Sequence, residues 1–169
     1  MTRMLNMGCK RLFIDPGLTD TGWAIFAAHP IGFCHLEESG TLRVHRLPCW
    51  TDTVDRMLSE FSRLMNWTFE SAYIEFQELW SRSALSHACV ARGDLFKLTY
   101  LVGRMAQMLT TRNPFITIHL PTPQHWKGQL NARAMKARVE KVFGKNSNRK
   151  RTEHEEHALG LYLYSIGGL

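Results

Sequence analysis

The 169-residue sequence predicts an α/β fold: a five-stranded mixed sheet flanked by helices. Three observations carry that prediction. Three short apolar runs follow one another near the start with only turn residues between them, which favours antiparallel neighbours. A segment of helical periodicity separates the third run from a fourth, the pattern of a crossover. A long helical apolar stripe then precedes a fifth run.

Taken in order, strands are expected at 10 to 15, 21 to 28 and 32 to 45, the third interrupted or turned near Ser39-Gly40. Residues 50 to 67 place Trp50, Val54, Met57, Leu58, Phe61, Leu64 and Met65 at helical spacing, so this helix crosses one face of the sheet before a strand at 71 to 76. The longest helix is expected from 82 to 111, where Leu95, Leu98, Val102, Met105 and Leu109 recur three and four apart as a core stripe. Its other faces carry Cys89, Val90, Phe96, Tyr100 and Leu101, more apolar surface than one sheet covers, which points to a partner subunit. Asn113-Pro114 ends the helix, and Phe115 to Leu120 forms the fifth strand. Pro121-Thr122-Pro123 opens a short segment containing Trp126-Lys127-Gly128. A last helix starts at Thr152, an N-cap residue followed three positions later by Glu155 in capping-box spacing.

Two acids stand where strands end. Asp15 closes the run Lys10 to Ile14 and leads into Pro16-Gly17, with Thr21-Gly22 opening the next strand. Glycines here permit close backbone approach, so a metal ion or phosphate fits against the turn; an ordinary hairpin is the alternative reading of Asp-Pro-Gly. Glu75 lies in the apolar run 71 to 76, where a carboxylate is costly without a partner or cation. A solvated face or an arginine partner is its alternative. Two carboxylates on neighbouring strands make a hard-oxygen site suited to Mg²⁺ or Mn²⁺. On the last helix, His154 and His157 are three apart and share a face; Glu153 lies nearest it, while Glu155 and Glu156 point largely away. An acidic first turn complements the helix dipole and accounts for the glutamates without a metal. It does not account for the histidines.

Charge is unevenly distributed. From Lys127 to Arg151 nine basic residues face one acid, Glu140, for a charge of +8, while 12 basic and 14 acidic residues elsewhere leave −2. That asymmetry is the footprint of a phosphate-binding surface, with a solvated basic helix as its alternative.

The length suits a single domain over 1–169, and the 44% hydrophobic content is ordinary for a packed core. No apolar stretch is long enough to span a membrane and no signal peptide is evident, so a cytoplasmic location is expected. Cys9, Cys34, Cys49 and Cys89 show no C-x-x-C pairing and read as free thiols. His29, His35, His45, His87, His119 and His125 lack ligand spacing and read as surface or packing residues.

Ile14-Asp15-Pro16-Gly17 with Thr21-Gly22, Tyr73-Ile74-Glu75, Trp126-Lys127-Gly128 and His154 to Tyr164 together resemble the RuvC-type Holliday junction resolvases of the RNase H-like superfamily, the phage-encoded versions especially. The resemblance spans nearly the whole chain. It implies an RNase H-like fold with the first strand central, helices on both faces, and a site built from Asp15, Glu75, His154 and His157. The family has Asp where this chain has His157. Imidazole binds Mn²⁺ but is a poor ligand for Mg²⁺, and Glu153 is available to supply the missing carboxylate.

The activity implied is two-metal phosphodiester hydrolysis, with two Mg²⁺ or Mn²⁺ ions per site, on branched DNA and above all four-way junctions, by a homodimer. A phage-encoded version would act in the host cell cytoplasm. Lys127, Arg133, Lys136, Lys145, Arg149, Lys150 and Arg151 would track phosphates. Trp80, with Phe76, would stack on bases at the branch point; packing under a loop is the other reading of Trp80.

Two rival classes remain. The histidine at 157 fits a chain that binds branched DNA without cutting it. Asp15-Pro16-Gly17 followed by Thr19-Asp20-Thr21-Gly22 also resembles the first phosphate loop of actin-like ATPases. Those need a second glycine-rich loop, which this sequence lacks, so no nucleotide cofactor is expected.

Overall fold

The structure, a computed structural model, describes residues 10–28, 34–77, 92–128, 130–145 and 149–168. The strands are β1 (Lys10–Asp15), β2 (Asp20–Ala28), β3 (Cys34–Arg43), β4 (Phe69–Ile74) and β5 (Thr117–His119). Among the described residues the helices are α1 (Trp50–Ser62), α2 (Asp94–Arg112), α3 (Pro123–Trp126), α4 (Ala132–Phe143) and α5 (Glu153–Ser165), with a single 3₁₀ segment, Arg63–Asn66, after α1. The sheet runs β3-β2-β1-β4-β5. The pairs β1–β2 and β2–β3 are antiparallel, while β4 lies parallel to both β1 and β5. The five strands, their mixed directions and the central β1 all match the expectation.

Period-two alternation divides the core into two layers. Leu12 and Ile14 of β1 face α1 and α2, where Val54, Met57, Phe61, Leu101, Val102, Met105 and Leu109 are buried. Phe13 points the other way, with Ala24 and Phe26, against Trp126, Met135, Val139, Leu159 and Tyr162 of α3, α4 and α5. Phe26 stacks on Tyr162 with ring centroids 3.6 Å apart, and Phe13 stacks on Tyr73 at 4.9 Å. Helices therefore cover both faces of the sheet.

Four sequence expectations need correction. β3 passes through Ser39-Gly40 without turning: a Cβ on Gly40 would lie 2.9 Å from the Trp23 ring, so the glycine makes room for the cross-strand indole. The irregularity falls instead where Ile25 pairs with Glu38 and Phe26 with Leu36, leaving Glu37 as the extra residue of a bulge. The helix expected from 82 begins, among the described residues, at Asp94, because Gly93 adopts a left-handed φ of 68°. Residues 78–91, including Cys89 and Val90, lie outside the described set. Leu101, assigned to the excess apolar surface, is fully buried, whereas Leu95 and Leu98 of the expected stripe are half-buried. Phe96 and Tyr100 do remain exposed, edge-on to Trp50.

The start of α5 also departs from the capping-box expectation. Thr152 caps the helix by accepting from the Glu155 amide at 3.2 Å, but the Glu155 carboxylate does not reach back to complete a capping box. It is fully buried and accepts from Ser39 at 2.7 Å and from both terminal nitrogens of Arg149 at 2.6 and 2.8 Å. Arg149 also donates to the Ser39 carbonyl at 3.0 Å, and Thr41 bonds Thr152. These bonds clamp the first turn of α5 onto β3. The clamp requires Gly22 on β2, because any Cβ there would overlap the main-chain carbonyl of His154.

Gly22→Ala should therefore force α5 off the sheet. A loss of about 2 kcal/mol or more, in the range of core overpacking, is expected in chemical denaturation, and an unchanged midpoint would show that α5 shifts freely.

Candidate active site

Strand alternation sends both acids toward α5. Asp15 shares the face of Phe13, and Glu75, one residue past β4, shares that of Tyr73. The Glu75 amide donates to the Ile14 carbonyl at 3.0 Å, extending the parallel β1–β4 pairing by one residue. Two carboxylates thus sit side by side at the C-terminal ends of neighbouring parallel strands, where open α/β sheets commonly bind ligands. Asp15 is 3% exposed and Glu75 2%.

α5 supplies the histidines. His154 Nδ1 lies 2.6 Å from Asp15 Oδ2, and His157 Nδ1 lies 3.3 Å from the same oxygen. Glu153 is exposed, with Oε1 3.8 Å from His157 Nε2, at the side of the shared face as its position in the helix requires. Gly17 keeps the loop low, because a Cβ there would collide with the Asp20 carbonyl and sit 3.2 Å from the His154 ring. Glu75 accepts from Trp126 Nε1 at 2.7 Å on one oxygen and from the Gln77 amide on the other.

The electrostatics separate the two acids. Burial opposes ionisation of Asp15, yet the hydrogen bonds from His154 and His157 outweigh it and hold its pKa below the usual carboxylate range. The same bond to Asp15 raises His154. Glu75 is pushed from 4.5 to about 7, first by burial and then by the charge of Asp15, against the opposing influence of Lys127, His157 and the Trp126 indole.

A cavity of about 580 Å³ opens onto this cluster, lined by Asp15, Gly17, Glu75, Gln77, Lys127, His154 and His157. Asp94 at the start of α2 also lines it, with its oxygens paired to Arg92 and Lys97. The donor set of two buried carboxylates and two imidazoles fits a divalent cation such as Mn²⁺. Among the described residues no three acidic, histidine or cysteine side chains surround a common metal position; both imidazoles turn Nδ1 toward Asp15. An ion would take the place of those hydrogen bonds.

Sequence reasoning named Asp15, Glu75, His154 and His157, and the fold brings all four together. It missed Gln77 and Trp126 as partners of Glu75. Gln77 was readable as the next residue on the same strand face. Trp126 was not, since nothing in a sequence reports a contact 51 residues away. Asp94 carried no signal beyond its place near a helix start.

The basic segment proves heterogeneous. Arg133, Lys145 and Lys150 are exposed, and Lys127 lines the cavity. Lys136 stands 3.8 Å from Glu156, and Arg151 donates to the Gly144 carbonyl at 2.7 Å. Arg149, expected on the phosphate-binding surface, has its guanidinium engaged by Glu155. Phe76, expected to face bases, packs against the α1–α2 core. Trp80 lies outside the described residues. Cys34 and Cys49 are free thiols. No described helix is long and apolar enough to cross a membrane.

No protein-family model matches the chain, and no curated protein matches it. Solved structures do. Thermus thermophilus RuvC, determined in complex with a Holliday junction substrate, superposes with a TM-score of 0.63 at 16% identity over 94% of this chain and 97% of its own. The yeast mitochondrial Holliday junction resolvase Ydc2 gives a TM-score of 0.58 at 9% identity over 94% and 77%. The fowlpox virus resolvase complexed with Holliday junction DNA gives 0.50 at 13% over 93% and 97%. The fold is thus RNase H-like, as in these resolvases.

A test of the site electrostatics follows from Glu75, which titrates near 7 in the fold against an ordinary 4.5. The native state holds the proton more tightly, so the penalty is absent below pH 4.5, grows as pH rises toward 7 and is constant above it. Glu75→Gln removes the penalty. Between pH 4.5 and pH 8 the variant should gain roughly 3 kcal/mol on the wild type in urea denaturation; parallel pH profiles would place Glu75 in a water-like setting.

Proposed function

We propose that this chain is a metal-dependent endonuclease that cuts branched DNA, with the four-way junction as its principal substrate. The observation that carries the reading is the pair of buried carboxylates, Asp15 and Glu75, meeting His154 and His157 at one cavity. Neither acid has a lysine or arginine salt bridge among the described residues; their bonded partners are imidazole, indole and amide. Two buried acids in that setting call for a cation. The shared fold with junction resolvases supports branched DNA as the substrate class.

Asp15, Glu75, His154 and His157 would hold the Mg²⁺ or Mn²⁺ ions. Bound there, such ions supply an activated water and stabilise the leaving 3′-oxygen. The chain's own work is to position. Burial of Asp15 and Glu75 at strand ends fixes the donor oxygens, and Lys127 at the cavity wall orients the scissile phosphate. His154 holds a proton on Nδ1 against Asp15 when no ion is bound. Arg133, Lys145 and Lys150 offer exposed charge for the phosphates beyond the cut.

Asp15→Asn and Glu75→Gln should each abolish cleavage of a mobile four-way junction while leaving its binding nearly intact. A Y-fork and a linear duplex run in parallel, each in Mg²⁺ and in Mn²⁺, test substrate and metal together. Retained cleavage in either variant removes the site assignment.

With His157 as a ligand, Mn²⁺ should outperform Mg²⁺, and His157→Asp should move the preference toward Mg²⁺. A wild type inactive with every divalent ion, yet revived by His157→Asp, makes the protein a junction binder that does not cut.

Replacing Arg133, Lys145 and Lys150 by Ala should weaken binding to all DNA shapes and lower the salt slope by roughly 0.9 per lost phosphate contact. An unchanged slope assigns those side chains to bulk solvent.

The reading includes a homodimer, supported by the exposed Phe96 and Tyr100 beside Trp50. Light scattering should then give about twice the 19.5 kDa chain mass. A monomer, with or without junction, rules out paired incision.

A further inference from the structure

Trp126 is 2% exposed, and its indole N–H has a single purpose in the fold: it donates to Glu75 Oε2 at 2.7 Å. A buried indole needs such a partner, but any carbonyl would satisfy it. What distinguishes this bond is that its acceptor is a proposed metal ligand.

The indole is held from three sides. Its own short helix is fixed by main-chain bonds from Trp126 to the Thr122 carbonyl at 3.1 Å and from Lys127 to that of Pro123 at 3.0 Å. On α5 the ring lies against Gly160, where an added Cβ would come within 2.9 Å of the ring and 2.5 Å of the Met135 sulfur. The indole and the His157 imidazole meet in a T-shaped arrangement, with centroids 6.0 Å apart at 74°. The ring thus spans from His157 on α5 to Glu75 just past β4.

We propose that Trp126 is a positioning residue for metal binding: its neutral N–H fixes the rotation of the Glu75 carboxylate, with Gln77 on the other oxygen, and so presents Glu75 to the cation. The inference rests on the metal-dependent reading above. A lysine or arginine in this place would also orient the carboxylate but would cancel the charge that attracts the ion. An indole orients without neutralising. Partners one step behind the ligands commonly contribute ten- to a hundredfold in metal affinity.

The test is Trp126→Phe, which keeps most of the ring packing and removes the N–H. Mn²⁺ binding without DNA, followed by the electron paramagnetic resonance of free ion, should weaken about tenfold or more. Junction binding without divalent ion should stay within twofold. Cleavage should recover at high Mn²⁺, its half-saturation shifted by the same factor, which a merely structural role would not produce. Equal Mn²⁺ affinity in variant and wild type overturns this inference alone. A wild type that takes up no Mn²⁺ overturns the metal reading and this inference with it. Should Trp126→Phe fail to fold, the five indole N–H resonances of the wild type carry the test: one should shift both on adding Mg²⁺ and in Glu75→Gln, and five unmoved signals would overturn the assignment.

Discussion

The close contact between the first turn of α5 and β2 is the constraint on which the rest of the site depends. At Gly22 helix and strand meet main chain to main chain, because a Cβ would overlap the His154 carbonyl. That approach puts His154 and His157 within reach of Asp15, whose own position is set by β1. A helix displaced by the width of a methyl group would separate the imidazoles from the carboxylate. The glycine is required by closeness and not by turn geometry, for it lies within a regular strand paired to Asp15 and Thr41.

The same turn is secured by charge. Glu155 is fully buried, and an unpartnered carboxylate there would be costly. Arg149 and Ser39 satisfy it, and Arg149 ties in the Ser39 carbonyl as well. A buried ion pair of this kind adds little net stability but fixes one arrangement, since alternatives strand a charge. The clamp therefore aligns α5 on the sheet. It also draws a guanidinium from the basic segment, whose composition reads as a phosphate-binding surface or a solvated helix.

The two acids are held by opposite means. Asp15 is kept ionised by imidazole donors, while Glu75 is held by neutral donors and its pKa is driven up by burial. Carboxylates whose ionisation is shifted by burial and specific partners cluster at functional sites and also occur in structural ion-pair networks. A cavity of about 580 Å³ opens before them, with Lys127 on its wall.

Much of this was legible in the sequence, for local reasons. Period-two alternation dictated that Asp15 follows Phe13 and Glu75 follows Tyr73 onto one face, and a spacing of three placed His154 beside His157. Turn residues between the first apolar runs dictated antiparallel neighbours, and the intervening helical segment a parallel β4. Those features depend on residues a few positions apart, so the chain by itself determined them. Long-range partners are of another kind. That Gly40 serves the Trp23 ring, that Arg149 belongs to Glu155 and Ser39, that Leu101 is core while Phe96 is not, and that Trp126 reaches Glu75 all depend on which surfaces meet. Only the tertiary structure decided these, because a side chain's partner is set by the packing of sheet against helix and not by its neighbours in the chain.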